Sequence, residues 1–135
     1  MNLVVDANII ISAYTCAGSV RKTWRQDFIF HNLFISPEIF AEVERNLRKA
    51  EFKLADEEVR VILVDILDRC KVVRLSSKYE GAIPDETDRH LVALAQGMKA
   101  DRIVTGDRPL KEANNLGGMQ VIPISEVAGL PKETQ

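Results

Sequence analysis

Leu3-Val4-Val5-Asp6-Ala7-Asn8 reads as a short buried strand that ends on a carboxylate and turns at once into a helix. The apolar run is too short for a helix, and Asn8 opens a stretch with helical character. A carboxylate at the edge of apolar structure is costly unless it is paired or binds a cation. Three more stretches have the same character: Ile39-Phe40-Ala41-Glu42-Val43, Asp85-Glu86-Thr87-Asp88-Arg89-His90-Leu91 and Val104-Thr105-Gly106-Asp107. Asp6 and Asp107 each follow a strand-like run. Glu42 and Asp88 stand among apolar residues at helical spacing. Several such acids in one small chain point to a shared site, and an all-carboxylate site suits Mg²⁺ or Mn²⁺.

Outward from these stretches, strands alternate with helices. After Gly18, Ser19 is placed to cap a helix to about Phe30, and Leu33 to Ile35 is a second strand. Ser36-Pro37-Glu38 is a helix start, with Ser as cap, Pro at the first position and Glu in the first turn. Asp56 is expected to cap a helix over Glu57 to Arg69 with Val59, Ile62, Leu63, Ile66 and Leu67 on one face. Lys71 to Leu75 is a third strand, and Ser76 to Pro84 a polar loop. Asp85 or Glu86 starts a helix that carries Leu91, Leu94, Ala95 and Met98 inward. Arg102 to Thr105 is a fourth strand. A short helix over Pro109 to Asn114, a turn from Asn115 to Gly118 and a strand over Gln120 to Ile124 follow, and Ser125 is placed to cap a closing helix. This alternation implies an α/β fold with a parallel sheet between helices. Ligand sites in such sheets lie beyond the carboxyl ends of the strands, where Asp6 and Asp107 fall.

The 135 residues fit one domain, 1–135, with 131–135 frayed at its end. Hydrophobic residues make up 46% and the formal net charge is -2, so any contact with nucleic acid must come from a local basic patch. Cys16 and Cys70 have neither metal-type spacing nor a disulfide framework, which fits a reducing cytoplasm, and they read as small apolar filler. Asp6 and Asn8 interrupt the apolar N-terminus, against a signal peptide or a membrane span.

The four acidic stretches, in order and each on the expected element, resemble the PIN-domain family of metal-dependent ribonucleases, and within it the toxin-type (VapC-like) proteins. The resemblance covers nearly the whole chain. It implies a three-layer α/β/α sandwich with a short, mainly parallel central sheet. It also implies that Asp6, Glu42, Asp88 and Asp107 are the catalytic, metal-binding acids, and that Asn8 and Thr105 orient them. Asp88 is preferred for its distance to Leu91 and the Ala93-Leu94-Ala95 run, with Asp85 or Glu86 as substitutes. The implied reaction is Mg²⁺- or Mn²⁺-dependent hydrolysis of RNA phosphodiesters to a 5′-phosphate and a 3′-hydroxyl. The implied partners are a cognate antitoxin and a second copy of the chain. Apolar residues on the helices before Leu33 and after Ser36 also favour a homodimer.

Arg21, Lys22, Arg25, Arg89, Arg108 and Lys111 are the candidate RNA-binding cations. Trp24 beside the first three could stack on a base, but is read as core or interface. Other readings compete. Asp6 could merely cap its helix, Glu42 could be a surface residue, Asp88 could be a first-turn residue favoured by the helix dipole, and Asp107 could sit in a turn. A phosphoryl-accepting receiver domain also places acids at strand ends. It requires an acceptor Asp after a middle strand, where this chain has Arg74-Leu75. A catalytically silent RNA-binding module or a housekeeping RNA-processing nuclease is the alternative within the fold.

Overall fold

A computed structural model describes residues 1–75, 80–81, 89–106, 115–116 and 118–132. Among these, six strands form one sheet in the order β3-β2-β1-β4-β6-β5. They are β1 (Asn2–Val5), β2 (Asn32–Ile35), β3 (Cys70–Val72), β4 (Arg102–Val104), β5 (Asn115–Leu116) and β6 (Met119–Ile122). The first five in that order run parallel, and β5 pairs antiparallel with β6 at one edge. The helices are α1 (Ala7–Thr15), α2 (Ser19–Gln26), α3 (Pro37–Leu47), α4 (Asp56–Arg69) and α5 (Arg89–Gly97). This is the α/β sandwich with a mainly parallel sheet that the alternating pattern implies.

The central strands are apolar on both faces because helices cover both. Leu3, Val4 and Val5 of β1, Leu33 and Ile35 of β2, and Ile103 and Val104 of β4 are all buried. Ile9, Ile10 and Ala13 of α1 and Leu91, Val92, Leu94 and Ala95 of α5 close over them. α3 starts where its sequence says it should: Ser36 Oγ accepts the Ile39 N–H at 3.1 Å, and Pro37 holds the first helical position.

Several boundaries differ from expectation. The helix begun at Ser19 ends at Gln26 and gives way to a 3-10 turn over Phe28–Phe30. Its entry rests on Gly18, whose φ of +133 suits glycine alone. α4 begins at Asp56 itself, and its first turn is closed by Glu58, which accepts the Ala55 N–H at 2.9 Å. β3 follows α4 with no linker, so the strand occupies Cys70–Val72 instead of 71–75. Part of the expected turn over 115–118 is the strand β5, with Gly118 at φ +84 beside it. The closing helix is a 3-10 segment over Ile124–Gly129 after Pro123, without a Ser125 cap. The expected elements at 82–88 and 109–114, and the fraying of 133–135, fall outside the described residues.

The outer face of α4 departs furthest. Val59 and Ile66 are buried as expected, but Leu67 is 49% exposed beside Val61 and Val64.

A polar knot ties the ends of α1, α2 and α4 together. Tyr14 accepts the Trp24 Nε1–H at 2.9 Å and donates to Asp65 Oδ2 at 2.5 Å. Arg69 Nε donates to the same carboxylate oxygen at 3.0 Å and its guanidinium lies over the Trp24 ring. Trp24 is 1% exposed, so it is core and cannot stack on a base in this state.

Candidate active site

Three adjacent parallel strands end on polar residues. Ser36 follows β2, Asp6 follows β1 and Thr105 follows β4. The pairing of Val4 with Phe34 and of Val5 with Val104 sets the three ends side by side. Backbone bonds carry the ladder into this row, with Asp6 N–H donating to Val104 O at 3.0 Å and Thr105 N–H to Ile122 O at 3.1 Å. Asp6, Ser36 and Thr105 are also the buried polar residues among those described, at 8%, 5% and 0% exposure. Polar side chains buried in one row at the carboxyl ends of parallel strands mark the position where such sheets hold ligands.

Asp6 is the centre of the row. Its side chain makes no capping bond to α1; its backbone carbonyl accepts the Ile9 N–H at 3.1 Å instead. The carboxylate is therefore free of the helix-capping duty that its position suggests. Thr105 Oγ1 donates to Asp6 Oδ2 at 2.7 Å across a sequence separation of 99. This bond fixes Oδ2, and Oδ1 accepts no hydrogen bond among the described residues. Among the described residues no Lys, Arg or His forms an ion pair with Asp6. A nearly buried carboxylate without a cationic partner fits a hard divalent ion, since hard cations take oxygen donors.

α1 and α3 begin directly after β1 and β2 and pack against each other. Their N-termini thus lie at this edge of the sheet, where their partial positive charge offsets part of the cost of burying Asp6. Glu42 stands in the second turn of α3 and is half-buried. Its backbone carbonyl accepts from Asn46 Nδ2 at 2.8 Å, while its carboxylate makes no bond among the described residues. Asn8 is exposed in the first turn of α1, and its side chain makes no bond to Asp6. The contact to Asp6 comes from Thr105.

Asp88, Asp107, Arg108 and Lys111, with Asp85 and Glu86, lie outside the described residues. Among the described residues no three His, Cys, Asp or Glu side chains gather closely enough to hold a metal ion by themselves.

The candidate cations separate. Arg21 Nε and Nη2 donate to the carbonyls of Ala13 at 3.1 Å and Tyr14 at 3.2 Å. It thereby satisfies the last turn of α1, at the opposite end of that helix from Asp6, roughly 11 Å away at about 1.5 Å per residue. Lys22 and Arg25 are exposed on the same helix α2. Arg89, at the start of the described part of α5, donates from Nη1 to Gly81 O at 2.8 Å. Ser36 was legible in the sequence only as a cap; its burial in the same row as Asp6 follows from the β1–β2 register, which no local signal carries.

Comparison with known proteins agrees with this architecture. Residues 2–109 match the PIN domain family. Among solved structures, VapBC2 from Rickettsia felis, crystallised bound to a DNA fragment from its promoter, is similar. It has a TM-score of 0.65 and 17% identity, over 91% of this chain and 98% of that one. A PilT N-terminus domain protein from the hyperthermophilic archaeon Sulfolobus solfataricus P2 superposes with a TM-score of 0.53 and 12% identity, over 96% of this chain and 92% of that one. At these identities the likeness is one of fold. No curated protein matches the sequence.

Proposed function

The chain belongs to the PIN-domain family, whose members are generally nucleases, and from that premise we propose that it is a Mg²⁺- or Mn²⁺-dependent endoribonuclease. We further propose that residues 1–135 act as one domain, in the cytoplasm, as a homodimer and as the toxin of a type II toxin–antitoxin pair. The observation that carries the nuclease reading is Asp6: 8% exposed, held by Thr105, with its other oxygen open and no cationic partner among the described residues.

In this reading Asp6 is the central metal ligand, and Glu42, Asp88 and Asp107 complete the acidic set. A bound divalent ion would acidify a water and offset charge on the phosphoryl oxygens. Thr105 keeps the Asp6 carboxylate in one orientation, so that the pocket does not have to reorganise when RNA arrives. Asn8, exposed two residues after Asp6, is assigned to hydrogen-bond substrate rather than the acid. Arg89, Arg108 and Lys111 are assigned to the RNA backbone near the pocket, and Lys22 and Arg25 to RNA extending beyond it. Among the described residues no helix is long and apolar enough to cross a membrane.

The test is labelled RNA incubated with the protein in Mg²⁺ or Mn²⁺, with and without EDTA, beside Asp6→Asn. The variant keeps size and hydrogen bonding but loses the charge that would hold a cation. Cleavage should fall at least a hundredfold while the circular dichroism spectrum stays native. Cleavage that persists in EDTA, or equal cleavage by a folded Asp6→Asn, would overturn the reading.

A further inference from the structure

The three polar residues buried at the strand ends differ in what their side chains have left to offer. The Asp6 carboxylate only accepts hydrogen bonds, and Thr105 spends its hydroxyl proton on Asp6 Oδ2 at 2.7 Å. Ser36 is 5% exposed, and its Oγ accepts the Ile39 N–H at 3.1 Å. That bond uses a lone pair and leaves the proton. Among the described residues the Ser36 O–H has no acceptor. Capping α3 explains Oγ as an acceptor and leaves it unexplained as a donor. Buried donors are paired in the great majority of cases, so an unspent one points to a group that arrives from outside.

Strand register places this donor beside Asp6. Val4 of β1 pairs with Phe34 of β2, and two residues further on the same register sets Asp6 next to Ser36. Adjacent strands lie about 4.8 Å apart, and residues level with one another in a parallel sheet project from the same face. On the other side Val5 pairs with Val104, and one residue on Asp6 meets Thr105. Thr105 thus ties Asp6 toward β4, while toward β2 no hydrogen bond joins Asp6 to Ser36 among the described residues. The row carries a carboxylate at its centre and, one strand away, a neutral donor held in place by the first turn of α3. A charged oxygen suits such a donor, because hydrogen bonds to ionised acceptors are roughly twice as strong as neutral ones.

We infer that Ser36 touches substrate, its hydroxyl donating to a non-bridging oxygen of the phosphate that is cleaved. The inference rests on the nuclease reading above and names a contact within it. At 5% exposure Ser36 meets only what enters deepest, and in RNA bound for hydrolysis at Asp6 that is the reacting phosphate. The proton stays on Ser36 throughout. The bond orients the phosphate for attack and offsets charge as it gathers on that oxygen. One side chain thus serves the helix as an acceptor and the substrate as a donor.

The experiment separates the two duties of Ser36. Glycine is nearly as good a helix cap as serine but has no hydroxyl, alanine is a poor cap without one, and threonine keeps both. Urea unfolding should place Ser36→Gly and Ser36→Thr near wild type and Ser36→Ala below them. Single-turnover cleavage of labelled RNA in Mn²⁺ should rank differently. Ser36→Thr should stay within about threefold of wild type, and Ser36→Gly and Ser36→Ala should both be about tenfold slower. The second readout is RNA with an Rp or an Sp phosphorothioate at the bond that wild type cuts, again in Mn²⁺, which is softer than Mg²⁺ and accepts sulfur. Sulfur is a weak acceptor, so wild type should cut one diastereomer about tenfold more slowly than unmodified RNA. Ser36→Gly and Ser36→Ala should cut that diastereomer and unmodified RNA at the same rate. A residue that only caps α3 would leave this ratio as in wild type, and reading it on both variants guards against misfolding of one. A folded Ser36→Gly that cuts RNA at the wild-type rate, or that keeps the wild-type sulfur ratio, overturns the contact and leaves the nuclease reading standing. A folded wild type that cuts no RNA in Mg²⁺ or Mn²⁺ overturns the nuclease reading, and the contact with it.

Discussion

Replacing Thr105 with Val tests the site at its most constrained contact. Thr105 is 0% and Asp6 8% exposed, and the hydroxyl donates to the carboxylate at 2.7 Å. Valine has almost the same volume, so the change opens no cavity and removes only what the hydroxyl contributes. A bond to a charged acceptor contributes about 1.5–3 kcal/mol, and a buried oxygen left unpaired puts the loss toward the middle of that range or above. We expect a loss of about 2 kcal/mol, or about thirtyfold in the folding equilibrium. Thr105→Ser keeps the donor and loses one methyl, costing on the order of 1 kcal/mol through packing. Urea denaturation should therefore rank wild type above Ser and Ser above Val. RNA cleavage should rank differently: Ser close to wild type, Val about tenfold lower, because only Val releases the Asp6 carboxylate. A double-mutant cycle with Asp6→Ala should return a coupling of about 1–2 kcal/mol. Equal loss in Ser and Val, or a coupling indistinguishable from zero, would refute the claim that this hydroxyl holds the acid.

Two other outcomes follow from buried groups elsewhere. Tyr14→Phe removes the acceptor for Trp24 Nε1–H and one donor to Asp65, and should cost about 1–3 kcal/mol in thermal or urea unfolding, with Asp65 still held by Arg69. Burial pushes the Cys70 thiol up to about 12, so the folded protein keeps it protonated where the unfolded chain does not. Stability from this group is complete below the unfolded thiol value of about 8.5 and is lost as pH rises from there toward 12, by up to about 1.4 kcal/mol per unit. The Tyr14 hydroxyl, raised first by burial and then by its bond to Asp65, adds to the decline above about pH 10. Urea midpoints at pH 8, 9 and 10 should fall, and Cys70→Ala should flatten the first part of that slope; an unchanged slope would show that Cys70 is not its source.

Much of the fold was legible because it rests on local chemistry. A valine-rich run broken by Asp6, and Ser36-Pro37-Glu38 at the head of α3, each announce a strand end or a helix start within a few residues. The parallel arrangement followed from the alternation of strand and helix. Boundaries such as the start of β3 at Cys70 were less legible, because α4 runs into the strand with no Gly, Pro or polar break between them. The faces of α4 were misjudged at Leu67 for a related reason. An exposed apolar stripe and one that faces the core have the same composition, and only the packing of α3 and β3 against one side separates them.

What the sequence determined by itself is the α/β frame and the placing of acids at strand ends and on helix faces, which is what the proposed chemistry requires. What the tertiary structure decided is which groups act together. Asp6 could have been a helix cap, and the bond from Thr105, 99 residues away, makes it a fixed carboxylate. Ser36 was a cap by every local signal and became part of the same row through the register of β1 on β2. Arg21 was legible only as one of several cations, and the fold sets its guanidinium on the carbonyls that end α1. The physical reason is common to all three. Local propensity depends on neighbours a few residues away, whereas strand register and helix packing bring together groups whose separation along the chain carries no signal of their contact.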